Sequence, residues 1–188
     1  MSSATSLPVV HITDATAADL PAVLALNEAN VPHVGALDAA KLARLWGEAF
    51  ALRVARLDGG RGGAGGGVAG GVVGFVLALV ETAAYESPNF GWFVARYPRF
   101  VYVDRIAVAE GFRGQGVGRR LYADVEALAG RRGADDGEHV AWLTCEVNLA
   151  PPNPGSMAFH ARLGFAGVGE RWDEGGATGV RMLAKAVP

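Results

Sequence analysis

The stretch from Arg105 to Arg120, RIAVAEGFRGQGVGRR, is the strongest constraint in this chain. The apolar run Ile106-Ala107-Val108 ends like a strand, and a helical pattern starts near Val117. Between them lies Arg113-Gly114-Gln115-Gly116-Val117-Gly118, in which three glycines alternate with other residues. Glycine adopts positive φ without steric cost and lets a backbone approach a ligand closely. The first N–H groups of a helix are unpaired and lie at the positive end of its dipole. A strand, a glycine turn and a helix start therefore predict a site for a phosphate or pyrophosphate. A P-loop would continue with Lys-Ser or Lys-Thr, whereas Arg119-Arg120 follow here. A dinucleotide fingerprint would have G-x-G-x-x-G near the start of a βαβ unit, whereas the glycine spacing here is reversed and lies past mid-chain.

Composition bounds the rest. The 188 residues suit one domain, 1–188, with a real core. Lys plus Arg number 17 and Asp plus Glu 19, a formal charge of −2, which gives no electrostatic reason to expect nucleic acid or an anionic membrane. Hydrophobic residues make up 51%, which excludes a disordered chain. The apolar run Val72 to Val80 is far shorter than the ~20 residues that span a bilayer. The opening MSSATSLPVV lacks a signal-peptide pattern, and the lone Cys145 cannot form an internal disulfide, so a cytoplasmic location is expected.

Taken in order, Val9 to Ile12 reads as a strand. Asp19 and Pro21 open a helix, and Asp38 opens a second, whose apolar stripe is Leu42, Leu45, Trp46, Ala49 and Phe50. Ala51 to Leu57 reads as a strand, the glycine run 58–67 as a hairpin tip, and Val72 to Glu81 as a strand buried on both faces. Residues 82–99 read as irregular and aromatic, either a small satellite core or a binding surface. Phe100 to Val108 is the expected central strand, with Tyr102, Asp104 and Ile106 on one face and Val101, Val103, Arg105 and Ala107 on the other. A helix with Val117, Leu121, Val125 and Leu128 on one face ends near Gly133, and His139 to Val147 is a further strand. Cys145 reads as a small core residue there.

A second pattern follows at Asn153-Pro154-Gly155-Ser156-Met157-Ala158-Phe159-His160-Ala161-Arg162-Leu163-Gly164-Phe165. Asn153 and Pro154 make an N-cap and first-turn pair, and Gly164 suits the position just past a helix. R-x-x-G-x-G after an Ile-Ala-Val strand resembles the acetyl-CoA motif of the GNAT (Gcn5-related N-acetyltransferase) superfamily. Asn153, Ser156, Phe159, Gly164 and Phe165 match the other motif of that superfamily, N-x-x-(A/S)-x-x-F-Y-x-x-x-G-F, with His160 where many members have tyrosine. The order of the two motifs also fits, and the Pro-Pro-Asn-Pro run and aromatic stretch resemble a bacterial branch of predicted acetyltransferases.

The resemblance implies an α/β fold: a mixed, mostly antiparallel sheet of about seven strands with about four helices, two parallel strands splaying apart at its centre. It implies acetyl-CoA as acetyl donor, with CoA as product, and direct attack by a primary amine of a small molecule, amino acid or peptide in a ternary complex. The pyrophosphate would lie on Arg113, Gly114, Gln115, Gly116, Val117, Gly118 and Arg119. The pantetheine would run along Ile106, Ala107 and Val108, with Asn153, Ser156, Phe159 and His160 nearby. The Val108 N–H would serve the oxyanion. His160 would give the thiolate its proton in place of tyrosine. Tyr85, Trp92, Tyr102 and Trp46 are candidates for the acceptor side.

Such a reaction needs a neutral amine, although an alkyl amine holds its proton to a pKa near 10, so a base is required. Asp104 is a candidate for that role, and Tyr102, Glu81 and Glu146 stand beside it as open alternatives. No metal is expected, and a homodimer, common in the superfamily, is an expectation for this chain. A second reading keeps the fold as an acyl-CoA-binding or sensing module with weak catalysis, and a third predicts ATP or NAD binding.

Overall fold

A computed structural model describes residues 9–57, 71–135 and 140–187. The elements in chain order are β1 (Val10–Asp14), α1 (Leu20–Glu28), α2 (Ala39–Glu48), β2 (Ala51–Leu57), β3 (Val72–Val80), α3 (Pro88–Val94), β4 (Phe100–Val108), α4 (Val117–Asp135), β5 (Trp142–Ala150), α5 (Pro154–Arg162), β6 (Ala166–Trp172) and β7 (Gly179–Ala186). One sheet runs β1-β2-β3-β4-β5-β7-β6. Every neighbouring pair is antiparallel except β4 and β5. The expected sheet is therefore present. The glycine-rich tip at 58–67 and the first residue of the His139–Val147 strand lie outside the described residues.

Local chemistry sets the helix starts. Asp38 accepts from the Lys41 N–H at 2.7 Å and caps α2. Asn153 accepts from the Ser156 N–H at 3.1 Å and caps α5, with Pro154 in the first turn. Asp19 acts one element earlier than expected: its carboxylate accepts from the N–H and hydroxyl of Thr16, both at 2.7 Å, closing a capping box on the 3-10 turn before α1.

The sheet is covered on both faces. Val101, Val103, Val117, Leu121, Tyr122, Val125, Ala129, Leu143 and Cys145 form one buried layer under α4, with Phe159 of α5 packed against it. Val23, Leu26, Leu42, Leu45, Phe75, Phe90, Phe93, Phe100 and Tyr102 form the other, under α1, α2 and α3. β3 is buried along nearly its whole length between them, as its unbroken apolar sequence requires.

Two sequence readings change. The irregular stretch 82–99 contains α3, started by the Ser87 side chain, which accepts from the Phe90 N–H, and by Pro88 in the first turn. Its aromatic residues build a core: Phe90 and Phe93 lie 5.4 and 5.9 Å, ring to ring, from Tyr102. The strict alternation expected along β4 fails at a bulge. Leu77 pairs with Arg105 and Ala78 with Val103, so Asp104 has no opposite residue. The extra residue shifts the phase of all that follows. Ala107 packs on the Tyr102 face, and Ile106 and Val108 pack with Val101 and Val103.

β4 and β5 are joined by α4, and their parallel pairing covers only Phe100–Trp142, Val101–Leu143 and Tyr102–Thr144. Beyond Tyr102 the strands part, and the cleft opens there.

Candidate active site

The cleft has a volume of about 870 Å³. Its walls are β4 from Val103 to Val108, the turn from Phe112 to Arg119, the Cys145–Asn148 part of β5, and α5 from Asn153 to Leu163. Asn30, His33, Val34 and Gly35, between α1 and α2, close one end.

The backbone of β4 sets the first part of the site. The Ala109 N–H bonds the Val73 carbonyl at 2.9 Å across the β3 side. N–H and C=O groups in an antiparallel ladder face alternate sides, so those of Ile106 and Val108 face the side that β5 has left. The Val108 carbonyl accepts from Arg113 Nε at 3.2 Å, which agrees with that direction.

The turn and the α4 start supply the second part. Gly114 and Gly116 have φ of +74° and +83°, which other residues rarely adopt. Helical bonding starts with the Arg120 N–H on the Gly116 carbonyl at 3.0 Å, so the preceding N–H groups have no partner within the helix. A Cβ on Gly118 would stand 3.0 Å from Phe159 Cζ, so the two sequence motifs meet at this contact. Gln115 turns away and bonds the Gly111 carbonyl at 2.8 Å. Arg113 reaches Asn30 Oδ1 at 2.8 Å and ties the turn to the α1–α2 connection. Arg119 and Arg162 both line the cleft. A turn of this shape fits a pyrophosphate: unpaired N–H groups, two positive-φ glycines and flanking arginines.

The third part is a network of carboxylates at the split. Glu146 of β5 accepts from the Tyr102 hydroxyl at 2.7 and 2.9 Å and from Asn89 Nδ2 at 2.9 Å. Asn89 is held in turn by Arg171 Nε at 2.7 Å. Burial pushes the Glu146 carboxyl up to about 7; the bonds from Tyr102 and Asn89 act against that rise, and the nearby Asp104 charge adds to it. Asp104 has both oxygens engaged, by the Tyr85 hydroxyl at 2.7 Å and by Arg105 Nε at 2.6 Å. Arg105 is itself buried and bonds Asn27 Oδ1 at 3.0 Å and the Gly35 carbonyl at 3.2 Å. The bulge at Asp104 thus brings β4, α1 and the α1–α2 connection to one point.

The fourth part surrounds His160, which is 3% exposed. Its Nδ1 lies 2.8 Å from the Ser156 carbonyl, which can only accept, so Nδ1 carries a proton. Its Nε2 lies 2.8 Å from the Tyr122 hydroxyl. Burial pushes the imidazole down from its ordinary value, so the ring is neutral and Nε2 accepts from Tyr122. Phe159 and Phe165 enclose the ring edge-on at 5.1 and 5.4 Å.

The structure brings together Ile106, Ala107, Val108, Asp104, Arg113, Gly114, Gly116, Val117, Gly118, Arg119, Asn153, Ser156, Phe159 and His160 around one cleft. The four aromatic candidates lie behind its wall. Tyr85 and Tyr102 hold Asp104 and Glu146 through their hydroxyls. Trp46 packs into the α1–α2–α3 layer. Trp92 packs on β6, where a Cβ on Gly169 would meet its ring at 2.6 Å, and Arg96 stacks over it at 4.2 Å. Sequence reasoning missed Tyr122, Asn89 and Arg171. Tyr122 follows Leu121 in the apolar stripe of α4, and a phenol at that place was a usable signal.

Residues 41–165 match the model of the acetyltransferase (GNAT) family. The chain belongs to the GNAT family. Solved structures agree in fold. The ribosomal-protein-S18-alanine N-acetyltransferase of Escherichia coli is 19% identical, with TM-score 0.66 over 95% of this chain and 94% of that one. The ribosomal-protein-alanine N-acetyltransferase of Brucella melitensis is 24% identical, with TM-score 0.60 over 94% and 99%. Arabidopsis thaliana NAA60 in complex with acetyl-CoA is 15% identical, with TM-score 0.66 over 95% and 99%. No curated protein matches the sequence. This GNAT protein is thus an acetyltransferase whose co-substrate is acetyl-CoA. Among the described residues, no helix is long and apolar enough to cross a membrane, and no cluster of His, Cys, Asp and Glu could hold a metal ion.

Proposed function

We propose that this protein is an N-acetyltransferase that moves the acetyl group of acetyl-CoA to a primary amine by direct attack in a ternary complex. Glu146 carries the reading. A carboxylate that titrates near 7, on the wall of the split, is matched to the removal of a proton from an amine at neutral pH. Asp104 supports it from the bulge, because a second negative charge raises the affinity of Glu146 for a proton. The Val108 N–H, aimed into the split, serves the developing oxyanion. The Ile106 and Val108 backbone groups hold the pantetheine amides as a missing strand would. The departing sulfur also needs a proton, and Tyr122 and His160 are the groups at hand.

Peptide N-termini head the candidate acceptors, since two similar structures carry names of ribosomal-protein-alanine N-acetyltransferases. Small amines and amino acids complete the set. The test is thiol release from acetyl-CoA with a panel of peptides of varied first residue, amino acids and polyamines. Acceptor-dependent release that E146Q reduces about 100-fold or more supports the reading. CoA binding without turnover on any amine would favour an acyl-CoA sensing module instead.

A further inference from the structure

A thiolate leaving a thioester needs a proton, because a simple thiol holds its own only to about pH 8.5. His160 occupies the motif position expected to give it, yet its geometry points the other way. Nδ1 faces the Ser156 carbonyl and Nε2 faces a hydroxyl, so the neutral ring has no N–H directed elsewhere. The group across that second bond is the phenol of Tyr122, on the second turn of α4 and therefore just past the glycine turn. Tyr122, Cys145, Glu146 and His160 all line the same cleft.

We propose that Tyr122, carried by α4, is the proton donor to the departing sulfur, and that His160 is a positioning residue for its hydroxyl. The inference rests on the acetyl-transfer reading above. Four features support it. The tautomer of His160 is fixed by Ser156, so Nε2 can hold the phenol in one place. Tyr122 is boxed by the rings of Phe159, His160 and Phe165 at 5.9, 5.4 and 5.4 Å, which leaves it little freedom. The titratable groups facing it are His160 of α5 and Cys145 and Glu146 of β5, so donor and base border one space. Burial pushes the phenol up, so its proton is in place across the working pH range.

The step balances. The nitrogen–carbon bond forms and the carbon–sulfur bond breaks. The nitrogen proton goes to Glu146; the phenolic O–H, unlike the fixed ring N–H of His160, turns from His160 Nε2 to the sulfur, which takes its proton. The proton on Glu146 then returns to the phenolate oxygen through water in the cleft.

Bound CoA tests this without an acceptor. The ultraviolet absorbance of the thiolate is titrated in the CoA complex, with the desulfo-CoA complex as reference. A hydrogen bond to the charged form lowers a pKa, so the bound thiol should titrate about one unit below the free ~8.5. Y122F should abolish that shift while CoA still binds, and H160Q should retain part of it. Were Y122F not to fold, 3,5-difluorotyrosine at position 122, a stronger donor, should lower the thiol further. The proposal falls if H160Q abolishes the shift and Y122F leaves it intact, or if the wild-type thiol titrates as in free CoA. Absence of CoA binding by the wild type would instead overturn the acetyl-transfer reading, and this one with it.

Discussion

In the proposed reaction Glu146 is the base, and its neighbours define what each substitution does. Its charge is resisted by burial and by Asp104 and favoured by Tyr102 and Asn89. With a pKa near 7, kcat/KM should rise with pH and level off above about 7, because the base must be ionised to act. E146Q should remove that limb and lower kcat by roughly 10²- to 10⁴-fold. Y102F is the more discriminating variant. The Tyr102 hydroxyl donates to both Glu146 oxygens and so favours the ionised form. Without it the Glu146 pKa rises and the limb moves to higher pH, so activity at pH 7 falls while activity at pH 9 recovers. A pH profile of Y102F that superimposes on the wild type would remove Glu146 from the base role.

At the scale of elements, the start of α4 joins the two motifs. Gly118→Ala would place a methyl 3.0 Å from Phe159 Cζ, in a layer already filled by Val117, Leu121 and Tyr122. Overpacking of this kind costs about 1–3 kcal/mol, so the midpoint of thermal unfolding should fall by several degrees. Gly116→Ala acts differently. A Cβ there meets nothing within 4 Å, but φ is +83°. The cost is local strain of about 1–2 kcal/mol, which reshapes the turn. G116A should therefore weaken CoA binding more than it lowers stability, and G118A the reverse, as calorimetry of binding and of unfolding would separate. The two variants also show what the sequence made legible. Glycine spacing, the Asn153–Pro154 cap and the unbroken β3 run are local signals, and local physics fixes their outcome. The bulge at Asp104 is not local: it depends on how β4 registers against β3, and it reversed the expected faces of Ile106 and Ala107. The parallel register of β4 against β5 brings Tyr102 onto Glu146, a pairing across 44 positions that periodicity could not show. Tyr122 was hidden for a related reason, because its partner His160 stands 38 positions away on another helix.

For the molecule as a whole, the site opposes the fold, and the opposition has a sign. Glu146 binds a proton more tightly in the folded chain, at about 7, than in the unfolded chain, at 4.5. Stability from that difference is fully present below pH 4.5 and is lost as pH rises through 7, a loss of about 3 kcal/mol. Asp19, bound to Arg56 and Thr16, and Glu81, bound to Arg132, run the other way: their carboxyls are held below the ordinary range. What they contribute is present above their unfolded values near 4 and is lost as pH falls. His160, pushed down by burial, adds a second loss on the acid side, below 6.5. The wild-type curve is the sum of these slopes, but the difference between E146Q and wild type isolates one of them. Glutamine keeps the shape and accepts from Tyr102, yet carries no charge to bury. E146Q should therefore match the wild type near pH 4.5 and gain on it steadily up to about pH 8, by up to 3 kcal/mol in denaturant unfolding. A constant difference across that range would mean that Glu146 is ionised at no greater cost in the fold than in water. The cleft would then lack the desolvated base on which the proposed amine chemistry depends.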